Sequence, residues 1–149
     1  MEMEIPLSMT GDNLTLIDTA YINLEKLNAN QNIKNIILTL FADNGFPFEA
    51  WVQLYLLNGN DVVVDSLFIT PGLISQAPVN INLKVSSKKL SKLEIPINEN
   101  KMNLLSNTKH LLIKTIFNTA ANPNYIRLYN KYSIDIKMVG DIKYMIQSK

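Results

Sequence analysis

The chain reads as an all-β protein, an antiparallel β-sandwich of roughly eight to ten strands with at most one or two short helical turns. Three observations predict it. Apolar and polar residues alternate over many short stretches, the period of a strand covered by a core on one side. Asn, Asp, Gly and Pro separate these stretches at short intervals, where they serve as turn formers. Helical periodicity is confined to one brief segment. The 149 residues, 47% hydrophobic and 18% charged, predict one domain, or the C-terminal part of a longer protein. A chain of this size buries roughly 70% of its unfolded surface without a disulfide or metal staple.

Taken in order, Met3, Ile5, Leu7 and Met9 alternate with Glu2, Glu4, Ser8 and Thr10, a half-buried strand that Pro6 places at a sheet edge. A short strand is expected at residues 14–17, followed by a strand end and a connection over 18–31. Residues 33–42 place Ile36, Leu38, Leu40 and Ala42 on one face and Ile37, Thr39 and Phe41 on the other. Apolar residues on both faces predict a central strand.

The stretch over residues 43–71 is a turn, a strand, a second turn and a returning strand. Phe48, Ala50, Val52, Leu54 and Leu56 fall on an apolar face, and Glu49, Trp51, Gln53, Tyr55 and Leu57 on a mixed one. Asn58-Gly59-Asn60-Asp61 tolerates the positive φ of a tight turn, so residues 62–69 fold back antiparallel. A bulged turn is preferred, because it places Val64, Ser66 and Phe68 beside Leu54 and leaves Asp65 outside. An unpaired carboxylate in a core costs several kcal/mol.

Val79, Ile81, Leu83 and Val85 alternate with Asn80, Asn82, Lys84 and Ser86, the cleanest strand pattern of the chain. Leu93, Ile95 and Ile97 form another strand, which Pro96 assigns to an edge. Residues 98–107 are the candidate helix, with Asn98 as cap and Met102, Leu104 and Leu105 as anchors. Strands are expected at 110–119 and at 132–138, the latter with Tyr132, Ile134, Ile136 and Met138 inward. Gly140 marks a turn or bulge before a last strand at 142–146.

Composition excludes several functions. A net charge of +1, with Arg127 as the sole Arg and no basic stripe, argues against nucleic acid binding. No apolar run approaches the ~20 residues of a spanning helix. The absence of Cys removes disulfides, thiolate catalysis and thiolate metal sites. With His110 as the only His, and neither a G-x-S-x-G nor a G-x-x-x-x-G-K motif, nucleophilic and phosphate-binding templates have nothing to attach to. His110 is expected on the surface or partly packed. Glu49, Asp65 and Glu94 supply carboxylates for glycoside hydrolysis only if the fold gathers them, and their spacing does not propose it. The expectation is therefore a protein without catalytic residues or cofactor.

Two binding features stand out. Asp43, Asn58, Asn60 and Asp61 place hard oxygens on turns, where β domains hold calcium; the same residues also make turns for backbone reasons alone. Trp51 and Tyr55 share one side of a strand, roughly 13 Å apart, flanked by Glu49 and Gln53. Flat aromatic faces beside an amide and a carboxylate suit a sugar. The competing expectation is that a loop or a protein partner covers them. Tyr125, Tyr129 and Tyr132, near Arg127, are expected to pack at the end of the sandwich.

The segments Asn13-Leu14-Thr15-Leu16 with Asp18-Thr19, residues 36–40, Asn44-Gly45-Phe46-Pro47 and residues 109–115 together resemble a β-rich domain of surface-exposed lipoproteins of Bacteroidota. That resemblance implies a cell-surface or outer-membrane setting and a structural or adhesive role, with no catalytic residues to carry over. The chain departs from it at Met1-Glu2-Met3-Glu4, which carries neither a secretion signal nor a lipid-attachment Cys; this fits a fragment of a longer protein, a mature chain or a cytoplasmic one. The function expected is a non-catalytic module holding a protein partner or extending an envelope assembly. The alternative is a carbohydrate-binding module acting through Trp51, Tyr55, Gln53 and Glu49.

Overall fold

Among the described strands all pairing is antiparallel, and one set of the pairs is nested. The computed structural model describes residues 7–8, 14–22, 33–118 and 127–144. In chain order these form β1 (Leu7–Ser8), β2 (Leu14–Tyr21), β3 (Ile33–Asn44), β4 (Glu49–Leu57), β5 (Val63–Ser66), β6 (Gly72–Ile74), β7 (Lys89–Ile97), α1 (Glu99–Ser106), β8 (His110–Asn118), β9 (Arg127–Leu128) and β10 (Ile134–Tyr144). β4 pairs with β5 and β6, β3 with β7, β2 with β8 and β1 with β9. These pairs wind as one long hairpin, its tip at the β4–β5 turn, wrapped so that the inner three pairs fall in alternate sheets. This is the winding of a jelly roll. One sheet has the order β2-β8-β4-β5, with β6 also on β4; the other is β10-β3-β7; β1 and β9 make a separate two-stranded ribbon.

The all-β sandwich expected from the alternation is the observed architecture. Ile36, Leu38, Leu40 and Ala42 of β3 face Ala50, Val52, Leu54 and Leu56 of β4, all buried, with Phe117 of β8 and Ile95 and Ile97 of β7 completing the layer. Full burial of each of the Val, Leu, Ile and Phe side chains among them is worth roughly 1.5–3 kcal/mol. β3 is central in its sheet and β7 lies at the edge, as the apolar faces of one and Pro96 of the other predict. The helix begins where Asn98 accepts the Lys101 N–H at 2.9 Å. Met102 and Leu105, three residues apart, are buried on one side of it; Leu104 points outward and is exposed, so it is not an anchor.

The Asn44-Gly45-Phe46-Pro47 motif has a structural cause. The Asn44 amide donates to the carbonyls of Phe48 and Ser75, both at 2.9 Å, and its oxygen accepts the Phe46 N–H. A Cβ at Gly45 would lie 2.8 Å from the Ser133 carbonyl oxygen, so only glycine fits. Phe46 packs on Phe117, with ring centroids 4.8 Å apart. The motif is the corner that carries the chain from one sheet to the other.

Other expectations are corrected. Residues 79–85 form no strand: a single bridge joins Val79 to Val85, Ile81 is exposed and Leu83 has φ of 58°. The Asn80 side chain accepts the N–H groups of Asn82 and Lys84, so a local turn displaces the ladder. Gly140 makes neither turn nor bulge but pairs with Leu38 inside a continuous β10, whose irregularity comes later, between Lys143 and Tyr144. Tyr132 lies before that strand, its hydroxyl accepting the Val85 N–H at 3.0 Å. β2 runs four residues beyond the expected end at 17, through Tyr21. The β4–β5 bulge is present with Val64 as the extra residue, yet Asp65 stands opposite Leu56 and Ser66 opposite Tyr55. Asp65 escapes the core because β5 ends there: its carboxylate is half-buried and accepts the Ser66 N–H, and Leu67 and Phe68 close the core instead. Of the first expected strand only residues 7–8 are described, and Tyr125 and the loop at 122–124 lie outside the described residues.

Candidate functional site

Residues directly opposite each other in antiparallel strands share a face, which builds the outer surface of the five-stranded sheet row by row. Trp51 lies between Leu73 of β6 and Ile116 of β8. Tyr55 lies between Ser66 and Leu112. Lys114 has Gln53 on one side and Ile17 of β2 on the other, and His110 has Leu57 and Tyr21. Ile17 is 62% exposed, Tyr21 64%, Leu73 48% and Val63 48%, while Trp51, Tyr55, Leu112 and Ile116 are half-buried. Large apolar side chains therefore stand on the outer side of four strands, partly exposed, around the buried Gln53 and Leu57.

This face brings together Glu49, Trp51 and Tyr55 as expected, but not Gln53. Gln53 is only 8% exposed. Its amide donates to the Phe68 carbonyl at 3.0 Å, and its oxygen accepts the N–H groups of Phe68 and Leu54. It fastens the chain after β5 to β4, and burial keeps its amide from a surface ligand. An aromatic platform on this strand would lack its central polar contact.

The proposed calcium oxygens do not converge. Asp43 is paired within β3, opposite Asp135 and Leu90, while Asn58, Asn60 and Asp61 form the turn beyond the other end of β4. The Asn58 oxygen accepts the N–H groups of Asn60 and Val62, a local turn bond, and Asp61 takes φ of 58°. Among the described residues no group of three or more His, Cys, Asp or Glu could hold a metal ion. The carboxylates of Glu49, Asp65 and Glu94 are likewise apart: Glu49 and Asp65 sit toward opposite ends of β4, and Glu94 is on the outer face of the other sheet.

Two depressions lie among the described residues. One, about 480 Å3, lies on the outer face at the hairpin end, lined by Thr19, Leu57, Asp61, Val63, His110 and Leu112. There His110 Nδ1 is 3.4 Å from Asp61 Oδ1, and its ring meets Tyr21 edge-on at 5.7 Å. A second, about 440 Å3, opens between the sheets where the inner sides of β2 and β10 diverge, with Leu16, Asp18, Phe46, Tyr132 and Ile136 among its walls. Neither holds a nucleophile with a base. The outer apolar rows on β2 and β8 were missed in the sequence because they are made of residues far apart in the chain. At the end of the sandwich, Tyr129 and Tyr132 pack together with centroids 5.3 Å apart, and Lys84 Nζ lies 4.8 Å from the Tyr129 ring.

No protein-family model matches the chain, and no curated protein matches it. Among solved structures it is similar to the crystal structure of the infectious bursal disease virus VP2 subviral particle, with a TM-score of 0.50 and 8% identity. The match covers 92% of this chain but 29% of that one, so the chain spans less than a third of the viral protein. The likeness is one of fold. Among the described residues no helix is long and apolar enough to cross a membrane.

Proposed function

We propose that the chain is a non-catalytic structural or interaction module that presents the outer face of its five-stranded sheet to a protein partner. The observation that carries this is the set of exposed Leu73, Ile17 and Tyr21 with half-buried Trp51, Tyr55 and Leu112 across strands of one sheet. A contiguous apolar patch on a water-facing sheet is a contact site, since leaving it wet forfeits roughly 25 cal/mol per Å2. The subviral-particle protein is an instance of a similar fold used in an assembly, and that use is compatible with the proposal. The setting implied by the lipoprotein resemblance, a bacterial surface, is one place where such a module would act.

The experiment is co-purification of the tagged chain from its native source alongside Leu73→Lys on this face and Lys137→Glu on the other sheet. The expected result is a stoichiometric protein partner lost only with Leu73→Lys, together with a blue shift of the single Trp, Trp51, on binding. A chain that purifies alone, with Trp51 emission unmoved by any fraction, overturns the proposal. A saturable Trp51 response to one purified glycan, with no protein partner, replaces it with sugar binding.

A further inference from the structure

Three strands in one sheet face four in the other, and the deficit falls at β2. The inward positions of β2 are Leu14, Leu16, Asp18 and Ala20, set opposite Phe117, Thr115, Ile113 and Leu111 of β8. Phe117 and Leu111 are core residues, yet Leu16 is 42% exposed and Asp18 is exposed on the same face. With Ala20 and Ile113 they wall the cleft of about 440 Å3 between the sheets, and Ile134 and Ile136 of β10 form its other side. The lining is mostly apolar and includes no cation.

Two polar groups of this cleft are not used by the fold. Thr115 is only 3% exposed, and its hydroxyl bonds no described residue. Among the described residues every fully enclosed side-chain N or O has a partner, so this hydroxyl is reached from the cleft. The Asp18 carboxylate accepts the Thr19 N–H through Oδ1 at 2.8 Å and forms no ion pair with a described residue. The other polar side chains of the lining are engaged: Tyr132 accepts the Val85 N–H, and Ser133 accepts from Lys88, whose charge Asp135 meets. Asp18 and Thr115 are diagonal neighbours on one face of the β2–β8 pair, at most roughly 7–8 Å apart, so one ammonium group can bond both. Strand alternation calls for an apolar residue at position 18, and a carboxylate there adds nothing to the core. At the mouth of an apolar cleft it attracts a cation, and the low polarity around it strengthens the attraction.

We propose that this cleft binds a small organic cation, a primary ammonium on an apolar or aromatic body. The ammonium donates to Asp18 and Thr115, and the body lies against Ile113, Ile134 and Ile136. The site is on the opposite side of β2 and β8 from the outer face, so it stands or falls separately from the protein contact proposed there.

The test is a methyl NMR titration with three probes of one shape: phenethylamine, the neutral phenethyl alcohol and the anionic hydrocinnamate. The amine is expected to bind with a Kd of about 0.1–1 mM, as suits a ligand of its size, and the alcohol about tenfold more weakly. Hydrocinnamate should give no saturable shift. The shifts should fall on the Ile113, Thr115 and Ile136 methyls and spare the outward Leu112 and Ile116. Asp18→Asn should weaken the amine about tenfold and leave the alcohol unchanged, and Thr115→Val should weaken the amine about threefold, both with an unchanged circular dichroism melt. Equal affinity for amine and alcohol in the unsubstituted chain overturns the proposal without recourse to any variant. So do an amine affinity untouched by either substitution, shifts confined to Leu112 and Ile116, or no saturable shift up to about 10 mM amine, tenfold above the weakest Kd expected.

Discussion

The outer faces of the two sheets cover the same core and share the same two-residue alternation, yet they are surfaced differently. On the three-stranded sheet the outward positions of β7 and β10 are Leu90, Lys92, Glu94 and Pro96, and Asp135, Lys137, Val139 and Asp141. Lys92 pairs with Glu94 at 2.7 Å. Asp135 stands directly opposite Asp43, a like-charge pair that is unfavourable; Lys88 offsets it by bonding both Asp135 and Ser133. On the five-stranded sheet the corresponding positions hold Trp51, Tyr55, Leu112, Ile116 and Ile17, with Lys114 as the charge in the middle rows. Alternation alone says that a side chain points outward. Whether outward means water or a partner depends on what occupies several neighbouring strands at once, and here charged side chains are interspersed among Leu90, Val139 and Phe41 on one face and are sparser on the other.

The comparison is sharpened first at Gln53, the one outward position of β4's middle that is not surface at all. Gln53→Leu strips partners from the Phe68 N–H and carbonyl and from the Leu54 N–H, and should lower unfolding free energy by about 3 kcal/mol in urea titration. Retained stability would mean that the segment after β5 is held by Leu67 and Phe68 packing alone. Next come the exposed apolar positions: Leu73→Lys should leave stability within about 0.5 kcal/mol while weakening partner affinity about tenfold or more. Lys137→Glu on the opposite face should change neither, and an equal loss of binding there would erase the distinction between the faces. Lys114→Leu, which removes the central charge, should raise concentration-dependent association measured by light scattering, with the fold intact.

The smallest effect is on the charged face. The hydrogen bond from Lys92, reinforced by its charge, holds the Glu94 carboxyl below its ordinary pKa. A carboxylate depressed in the folded state adds stability above its unfolded pKa, and that stability is lost as pH falls through the lower folded value. Glu94 is solvent-exposed, so the consequence is a titration shift and not a measurable change in melting. In an NMR pH titration, Lys92→Met should return Glu94 upward toward an ordinary carboxylate; an unmoved value would show that the pair is not formed in solution.

The strands of the core were legible because burial imposes their period. Residues 36–42 and 48–56 carry an uninterrupted apolar face, and each became a strand whose inward side chains are those expected. Pro96 marked an edge because a missing N–H is a local fact, and Asn98 marked a helix start because its cap bond spans three residues. Residues 79–85 failed because Asn at the polar positions offers the backbone a local bond that alternation does not register. The candidate site was legible only in part. Trp51 and Tyr55 were visible as a pair on one strand, but the role of Gln53 depends on Phe68, fifteen residues away, and the rows around the aromatics come from β2, β6 and β8.

What residue order alone decided is the core strands at 36–42 and 48–56, one capped helix, corners at Asn44-Gly45 and Asn58-Gly59, and a chain without Cys. Those features follow from interactions within a few residues. Tertiary structure decided the nesting of β1 to β4 on β5 to β9, the scattering of the oxygens of Asp43, Asn58, Asn60 and Asp61, and the apolar surface that spans β2, β8, β4 and β6. The physical reason is register. Which residues become neighbours across a sheet depends on pairings between segments as distant as residues 17 and 114, and no local periodicity carries that information.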